Sequence, residues 1–490
     1  MKPGFTSCLK SLSRRMMSTL LSTVMLVGIT RTFADAPRPN FIFIVTDDQR
    51  WDALSVVQKE QGERARFPWL QTPNMDRIAA EGVRFRNAFV TLSLCSPSRA
   101  AFLTGTYNHV NEVTNNHEPF PMDNVTYSGL MRDAGYQTGF FGKWHHGTQR
   151  GPRPGFSHNA SFIGQGQYWD CPFEINGKMT PTQGWVDDVT TDFAIDFLKQ
   201  NREKPFSIFI GFKTPHEPTK PAKRFLNFYV DEKARLVPNM TTPAVYRLSK
   251  QDAERKLLAE TAMKEERGIT VGLNYFRCVS SADESLGRLL DTLDELKLSE
   301  NTVLVFTSDN GFLLGEHCLG DKRAAYEESL RVPMLVRYPK QFPKGKVFDD
   351  MVLSVDVAPT FLDLAGIPVP RQMQGRSLLP LMHGDHTNGR KSFLAQYFIE
   401  KNYPNTPTFL TVRTDSAKLV KYPGHDEWTE LFDLAIDPYE ILNLAKDPAH
   451  GKLLTEMTAE LDLQAKTLDY RVPESADKAE FNPQDPKYLK

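Results

Sequence analysis

Reactive side chains directly follow four short apolar runs of the sequence. Residues 40–46, 137–141, 207–212 and 302–308 are rich in β-branched and aromatic residues and are predicted to be buried strands. The residues after them include, in the same order, Asp47 and Asp48, Lys143 and His145, His216, and Asp309 and Asn310. In open sheets of parallel strands, ligands bind beyond the carboxyl ends of the strands. These side chains are therefore the first candidates for a functional site.

The carboxylate and amide residues of this set indicate a metal site. Asp47, Asp48, Asp309 and Asn310 together offer hard oxygen ligands, which suit Ca²⁺ or Mg²⁺ rather than zinc. Taken alone, the pair at 47–48 and the pair at 309–310 are each explained at least as well by a turn or a helix cap, because Asp and Asn are common at both places. The interpretation as a metal site therefore depends on the joint pattern.

The segment 95–105, C-S-P-S-R-A-A-F-L-T-G, is the most specific signal in the chain. It fills every fixed position of the sulfatase signature C-x-P-S-R-x-x-x-L-T-G, in which the leading cysteine is converted to formylglycine. The seven specified positions would recur by chance on the order of once in a billion starting points. A purely structural role for Cys95, as a buried thiol, is the weaker interpretation.

Over nearly its whole mature length, the chain resembles the type I sulfatases of the alkaline phosphatase superfamily. Besides the segment around Cys95, the resemblance includes the Asp-Asp pair at 47–48, G-K-W-H at 142–145, P-H-x-P at 215–218, D-N-G at 309–311 and K-x-x-x-Y-E-x-x-x-R-V-P at 322–333. It implies an α/β fold like that of alkaline phosphatase, in which helices sandwich a large, mostly parallel sheet.

The same resemblance implies a role for each candidate residue. Asp47, Asp48, Asp309 and Asn310 would hold one Ca²⁺ together with an oxygen of the modified Cys95. Of the other residues, Arg99 would support the modified residue, Lys143 and Lys322 would bind the sulfate, and His145 and His216 would transfer protons. The modification also implies a partner, a formylglycine-generating enzyme that matures the chain.

The chemistry of an aldehyde agrees with these roles. A hydrated aldehyde carries two hydroxyl groups, so one can attack sulfur while the other expels the sulfate and restores the aldehyde. An ordinary serine or cysteine lacks the second hydroxyl group and could not release a bound sulfate in this way. A dication and two lysines would neutralise charge on the sulfate oxygens. An alkoxide leaves poorly without a proton, which an imidazole can supply near neutral pH.

The order of predicted elements indicates two domains. A fifth strand is predicted at 332–337, and the helical spacing of five leucines is typical of one apolar face packed in a core: Leu286, Leu289, Leu290, Leu293 and Leu296. After about residue 375, shorter strand-like runs at 392–398 and 408–421 precede a final helix near 453–467. We predict a catalytic α/β domain at 35–375 and a smaller α+β domain at 376–490.

Residues 1–34 are typical of a signal peptide. Four basic residues precede an apolar run at 16–30, and small residues at positions 32 and 34 suit cleavage. The run is too short for a comfortable membrane span, and no later segment reaches the necessary length. We expect a soluble enzyme in the periplasm or outside the cell. Removing this segment would shift the net charge from −1 to −6, which does not suggest a nucleic-acid partner.

Four cysteines follow the predicted signal peptide: Cys95, Cys171, Cys278 and Cys318. Their spacing is not that of a zinc site. One disulfide among the last three would suit an oxidising compartment, but the sequence does not assign the pair.

A looser resemblance indicates the substrate class. Residues 151–177, with R-P-G-F and G-Q-G-Q-Y-W, resemble bacterial N-acetylglucosamine-6-sulfatases and other polysaccharide sulfatases. We therefore expect a sulfated carbohydrate substrate. Tyr168 and Trp169 could stack on sugar rings, and core packing explains them equally well. The sugar itself is left open, because subsites lie on variable loops.

Two other functions remain open from the residues. A phosphonate or phosphate ester hydrolase of the same superfamily tends to carry Asp-Gln and Asp-His at the two metal segments, where this chain has Asp-Asp at 47–48 and Asp-Asn at 309–310. A noncatalytic glycan-binding protein would keep the fold and leave Cys95 unmodified. The complete set of expected catalytic residues argues against that second alternative.

Overall fold

The computed structural model of the protein describes residues 38–247, 250–264 and 272–482, so the predicted signal segment lies outside the described residues. Within the described part, the strands of a large sheet are β1 (Asn40–Asp47), β2 (Val83–Phe89), β3 (Gln137–Lys143), β4 (His158–Phe162), β5 (Phe173–Ile175), β6 (Lys178–Thr180), β7 (Phe206–Pro215), β8 (Thr302–Ser308), β9 (Met334–Arg337) and β10 (Lys346–Leu353). They lie side by side in the order β10-β2-β9-β8-β1-β7-β3-β4-β5-β6.

Helices cover both faces of this sheet. Those described are α1 (Ser55–Gln61), α2 (Pro73–Glu81), α3 (Cys95–Thr104), α4 (Asn108–Asn111), α5 (Tyr127–Asp133), α6 (Val186–Asn201), α7 (Lys250–Lys264), α8 (Leu273–Glu295), α9 (Glu327–Leu330), α10 (Val357–Leu364), α11 (Leu379–Met382) and α12 (Gly451–Thr467). Apolar residues of α2, α6 and α8 pack on one face, and those of α3, α5 and α10 pack on the other.

The central strand β1 shows why helices are needed on both sides. All of its residues, N-F-I-F-I-V-T-D, are buried. Because successive side chains of a strand point to opposite faces, Ile42 and Ile44 join the core with α2, α6 and α8, whereas Phe41 and Phe43 join the core with α3, α5 and α10. A strand that is apolar on both faces is typical of a parallel sheet covered by two helix layers.

Strands β8, β1, β7 and β3 are consecutive neighbours in the sheet and run parallel. They correspond to the four runs from which the sequence predicted strands that lead into reactive residues, and that prediction is confirmed. Because the carboxyl ends of parallel neighbours lie at the same edge, the residues after these four strands are necessarily close together.

The fifth predicted strand and the predicted leucine helix are also present. The strand is β9, which begins two residues later than predicted and pairs antiparallel with both β8 and β2. The leucine face belongs to α8, where Leu286, Leu289, Leu290 and Leu293 are buried in the core. The direction of β9 was not predictable from its composition, since a short buried run reads alike in either direction.

The C-terminal part contains an antiparallel sheet with the order β11 (Ser392–Tyr397), β12 (Phe409–Thr414), β13 (Ala417–Lys421) and β14 (Glu430–Asp433). Met457 and Leu461 of α12 pack against this sheet. Helix α12 corresponds to the predicted final helix. The run at 408–421 is two strands rather than one. Asp415 and Ser416 form the turn between them, which is a common role of these residue types.

Two facing glycines allow β3 and β7 to approach closely beside the site. Gly142 pairs with Gly211, and its φ of +92° is strained for other residues. A Cβ atom on Gly142 would lie 2.1 Å from the carbonyl oxygen of Gly211. A Cβ atom on Gly211 would lie 2.5 Å from the carbonyl oxygen of Lys143. The backbone that carries Lys143 therefore requires both glycines.

We expect Gly142→Ala to lower the free energy of unfolding by on the order of 3 kcal/mol, because the new methyl group clashes with backbone and the φ angle is unfavourable. Urea unfolding of the variant would measure this loss. Gly451→Ala is the matched control, since a Cβ atom at Gly451 meets no atom within 4 Å. Equal stability of the two variants would contradict the proposed close approach.

Candidate active site

The sheet and helix α3 bring all the predicted site residues together. Cys95 is the first residue of α3, and Arg99 follows one helical turn later on the same side. The strand ends and the loop before α9 supply the remaining residues, which are Asp47, Asp48, Lys143, His145, His216, Asp309, Asn310 and Lys322. All of them are almost fully buried except His216, whose side chain is 17% exposed. Access to the site is therefore greatest on the side of His216.

Three carboxylates and a thiol form the centre of the site. One ligand atom from each of Asp47, Asp48, Asp309 and Cys95 lies within 4.8 Å of the others. Burial, followed by the neighbouring Asp47 carboxylate, raises the pKa of Asp309 to about 7. Burial also raises the pKa of Asp48. Because like charges at this spacing repel one another, the cluster is suited to a bound cation.

Asn310 adds an amide to this cluster. Its Nδ2 donates to Asp48 Oδ1 at 2.6 Å and to the carbonyl oxygen of Gly311 at 2.8 Å. Its Oδ1 is buried and, among the described residues, has no hydrogen-bond partner. A buried acceptor without a partner is unfavourable unless another group, such as a cation, binds it. The oxygen set of Asp47, Asp48, Asp309 and Asn310 therefore fits a hard dication such as Ca²⁺.

Three basic side chains balance the three carboxylates. Lys143 pairs with Asp47, and Lys322 pairs with Asp48 and donates to Cys95 Sγ at 3.1 Å. Arg99 Nη2 lies 2.8 Å from Asp309 Oδ2, and its Nη1 donates to the carbonyl oxygen of Lys143 at 2.7 Å. Burial alone would raise the pKa of Asp47, but the ammonium of Lys143 and the other cations hold it well below its usual range.

The environment of Cys95 does not favour a thiolate. Its Sγ donates to Asp47 Oδ1 at 3.2 Å. Burial and the Asp47 carboxylate raise the pKa of the Cys95 thiol above its usual range. An unmodified cysteine here is thus a poor nucleophile, because the thiolate is the reactive form. Its place at the N-terminus of α3 instead suits the binding of an anion, since the first N–H groups of a helix carry partial positive charge.

The two histidines lie close to this centre. His216 Nε2 is 3.9 Å from Asp48 Oδ2, and its Nδ1 is 2.5 Å from the carbonyl oxygen of Glu217. His145 is buried, and its Nδ1 has no hydrogen-bond partner among the described residues. Burial lowers the pKa of both imidazoles well below the usual range, and the Lys143 ammonium adds to this effect. Both rings can therefore meet a substrate as neutral groups.

Asp187 fixes the end of β7, which the sequence did not reveal. Its carboxylate accepts hydrogen bonds from the backbone N–H groups of Lys213 at 2.9 Å and Thr214 at 3.1 Å, and from Thr214 Oγ1 at 2.5 Å. Tyr168 fixes the next residues, because its hydroxyl donates to the carbonyl oxygen of His216 at 2.6 Å. The position of His216 thus depends on Asp187, which lies outside any motif, and on Tyr168, whose contact with His216 the segment G-Q-G-Q-Y-W does not reveal.

Gln165 is a further contact to the site that sequence reasoning missed. Its Oε1 accepts a hydrogen bond from Lys143 Nζ at 2.6 Å, and its carbonyl oxygen accepts one from Lys213 Nζ at 2.8 Å. Gly164 and Gly166 flank it with φ angles of +57° and +59°, so the loop turns sharply at this point. The glycines of G-Q-G were the available signal, but they do not reveal a contact to Lys143.

The two aromatic residues considered for sugar stacking differ in their environment. Tyr168 is 2% exposed and its ring stacks on Trp185, so it is a core residue and not a sugar platform. Trp169 is half-buried and has the Lys223 ammonium 5.2 Å from its ring centre. Of the two, Trp169 alone keeps a surface that a sugar could approach.

The remaining described cysteines, Cys171, Cys278 and Cys318, are all buried. Cys171 and Cys278 are free thiols. Among the described residues, no helix has the length and apolar character needed to cross a membrane.

Comparison with known proteins gives the family. The protein-family model described as Sulfatase matches residues 39–367. The family model described as N-sulphoglucosamine sulphohydrolase, C-terminal, matches residues 315–467. An N-acetylglucosamine-6-O-sulfatase of Bacteroides thetaiotaomicron is 33% identical, with 86% of this chain and 85% of that protein covered. An ulvan-active sulfatase of Formosa agariphila is 28% identical, with 91% of this chain and 84% of that protein covered.

A solved structure agrees with these relatives. A protein in complex with its substrate D-glucosamine-2-N,6-O-disulfate matches with a TM-score of 0.77 and 30% sequence identity, covering 92% of this chain and 100% of that chain. The Sulfatase family model spans well over half of the chain and includes the signature around Cys95. The chain therefore belongs to the sulfatase family.

Proposed function

We propose that this sulfatase removes sulfate esters from a sulfated carbohydrate, with a formylglycine formed from Cys95 and one bound Ca²⁺. The observation that carries the proposal is the convergence of three buried carboxylates and three buried basic side chains around Cys95. The carbohydrate substrate is supported by the names of the two relatives and by the sugar disulfate bound in the similar structure.

Two groups, the bound Ca²⁺ and the aldehyde formed from Cys95, would supply the central chemistry. Ca²⁺, held by Asp47, Asp48, Asp309 and Asn310, would supply positive charge to the sulfate oxygens. The hydrated aldehyde at position 95 would supply one hydroxyl to attack sulfur and a second to release the sulfate. The raised pKa of the Cys95 thiol supports this assignment, because the unmodified residue is a poor nucleophile.

The chain's own residues would bind and orient the sulfate. Lys143 and Lys322 are buried ammonium groups, and both are held by carboxylates of the cluster. When a sulfate enters the site, these ammonium groups would exchange the carboxylate oxygens for sulfate oxygens. Arg99 would stay on Asp309 and keep that carboxylate in position. Charge on the transferring group is thus met by preorganised positive groups.

The histidines would manage the protons of the reaction. His216 is the most accessible of the site residues, which supports a position for it on the sugar side of the ester. We assign it as the acid that protonates the leaving oxygen, and His145 as the group that exchanges a proton with the residue at position 95. The negative charge of a bound sulfate ester favours the protonated imidazole, which opposes the effect of burial.

Export and maturation complete the proposal. The segment 1–34 supports transport to the periplasm or out of the cell, where polymeric substrates are found. A formylglycine-generating enzyme would act on Cys95 before or during folding, since the residue is fully buried in the folded chain. The boundary proposed near residue 375 is supported by the C-terminal sheet, all of whose strands follow it.

The first test concerns Cys95. We expect mass spectrometry and hydrazide labelling to find an aldehyde at position 95 in active protein, and Cys95→Ala to be inactive. Cys278→Ala is the matched control, since it removes another buried thiol and should keep activity. We expect turnover of sulfate esters to exceed that of phosphate diesters and phosphonate monoesters. Full activity from protein with only cysteine at position 95 would contradict the mechanism.

The metal site has a separate test. We expect Asp309→Ala to lose bound Ca²⁺, measured by elemental analysis, together with nearly all activity, because the cluster loses one of its three carboxylates. Added Ca²⁺ should raise the melting temperature of the original protein and not that of the variant. Asp349→Ala removes a mostly exposed carboxylate of β10 and should keep metal and activity. Unchanged turnover after both chelation and Asp309→Ala would contradict the proposed metal site.

The role of His216 predicts a dependence on the leaving group. His216→Ala should slow hydrolysis of a sugar sulfate by roughly 10²–10⁴-fold, and that of a nitrophenyl sulfate far less, because nitrophenolate leaves without a proton. Lys322→Ala should slow both substrates more evenly, because the lysine acts on the sulfate that they share.

The comparison requires variants that retain their fold and their metal, since general damage would also lower both rates evenly. Circular dichroism and metal content would establish this. Equal losses for the two substrates in a well-folded His216→Ala variant would refute the leaving-group role and point to His145 instead.

A further inference from the structure

An open groove of about 410 Å³ lies on the surface beside Trp169. Trp169 forms one wall, and the segment that runs from Thr219 to Lys223 forms another. Asn274, near the start of α8, also lines the groove. An aromatic wall with a few polar groups around it is typical of a site for a small polar ligand such as a sugar.

The indole of Trp169 is fixed in position and partly open to solvent. Its backbone pairs with that of Trp185 in a short antiparallel bridge. The side chain packs against the apolar core that contains α6 and α8, and it stays half-buried. A ring that is already held in place loses little conformational freedom when a ligand stacks on it.

Two ammonium groups lie in the same groove. Lys223 Nζ is 5.2 Å from the ring centre of Trp169, and Lys220 lines the groove as well. Both lysines are exposed, and neither forms an ion pair with a carboxylate of the described residues. Asp170 is the one carboxylate among the described residues of the groove, and its Oδ1 accepts a hydrogen bond from the backbone N–H of Gly184 at 2.8 Å. The groove thus combines an aromatic ring with a net positive charge, which suits an acidic sugar.

The loop that carries Trp169 also contacts the active site. Tyr168, the preceding residue, donates from its hydroxyl to the carbonyl oxygen of His216 at 2.6 Å. Gln165, in the same loop, accepts a hydrogen bond from Lys143 Nζ at 2.6 Å. Trp169 is therefore tied both to the residue proposed to protonate the leaving oxygen and to a lysine proposed to bind the sulfate.

The second wall of the groove begins beside the active site. Thr219 lies three residues after His216 and lines the groove. It also lines a smaller cavity of about 60 Å³, whose walls include Asp48 of the carboxylate cluster. Three successive Cα–Cα steps span at most about 11 Å, so the groove begins within the length of a disaccharide from His216.

We propose that this groove is the subsite for the sugar unit that adjoins the sulfated one. The adjoining sugar would stack on Trp169, and an anionic group on it, such as a carboxylate, would contact Lys223. The proposal rests on the proposed function, since it takes His216 to face the sugar side of the ester. It adds that the enzyme recognises at least two sugar units rather than a single sulfated sugar.

Kinetics on three substrates test this subsite. They are N-acetylglucosamine 6-sulfate, the same sulfated sugar joined to an uncharged hexose, and the same sulfated sugar joined to a uronic acid. We expect Trp169→Ala to raise KM roughly tenfold for both disaccharides, because the contact with the second sugar is lost. Lys223→Gln should raise KM by roughly the same factor for the uronic acid disaccharide alone. The kinetics of the monosaccharide should stay unchanged in both variants.

Matched variants separate this role from general damage. Trp169→Phe keeps an aromatic ring and should retain most of the affinity for the disaccharides. Should Trp169→Ala lose its fold, Trp169→Leu replaces it, since leucine keeps apolar packing and lacks a flat ring. Lys199→Gln removes an exposed ammonium of α6 that does not line the groove, and it should change no KM. Unchanged disaccharide KM values in the Trp169 and Lys223 variants, or equal losses on all three substrates, would overturn the subsite.

Direct binding separates the subsite from the proposed function. Calorimetry with the Cys95→Ala variant should show tighter binding of the two disaccharides than of the monosaccharide, and loss of that difference when Trp169→Ala is added. An original protein that binds the disaccharides through Trp169 and hydrolyses none of the three sulfates would refute the proposed function and leave the subsite standing. Equal binding of all three sugars by the Cys95→Ala variant would refute the subsite alone.

Discussion

The burial of three carboxylates around Cys95 is the constraint on which the site depends. Asp47, Asp48 and Asp309 lie within contact distance of one another and are almost completely removed from water. Buried charges of one sign are strongly unfavourable unless they are paired. Lys143, Lys322 and Arg99 supply that pairing. The fold must therefore deliver both sets to one place, where each basic side chain pairs with a carboxylate.

The parallel sheet meets this requirement because it brings distant parts of the chain to one edge. Asp48 and Asp309 are separated by more than 250 residues in sequence, yet β1 and β8 are direct neighbours, so the backbone N–H of Asp48 donates to Asp309 Oδ1 at 3.2 Å. On the other side of β1, Gly142 and Gly211 allow the backbones of β3 and β7 to come close enough for Arg99 to reach the carbonyl oxygen of Lys143. The central strands thus fix the relative positions of the backbone groups that carry these side chains.

The sequence was sufficient for the parts of the molecule that follow local rules. Buried parallel strands, the leucine face of α8 and the motif around Cys95 all have short-range signals, and the structure contains each of them. Asp187 has no such signal: it lies at the start of a helix, where an acidic residue is expected for helix stability alone. Its contact with the end of β7 depends on how α6 packs on the sheet. The direction of β9 and the hairpin within 408–421 depend on tertiary pairing in the same way.

The difference between short-range sequence signals and tertiary contacts also separates the residues for the chemistry from those for selectivity. The residues proposed to act on the sulfate lie at strand ends, at the start of α3 and in the loop before α9, and they form motifs that can be read from one sequence. A group that could meet the sugar, such as the half-buried Trp169, lies on a loop and outside the buried ion pairs. Loop side chains of this kind can change without disturbing those ion pairs. Selectivity for the sugar is therefore expected to vary among sulfatases whose sulfate-binding residues are the same.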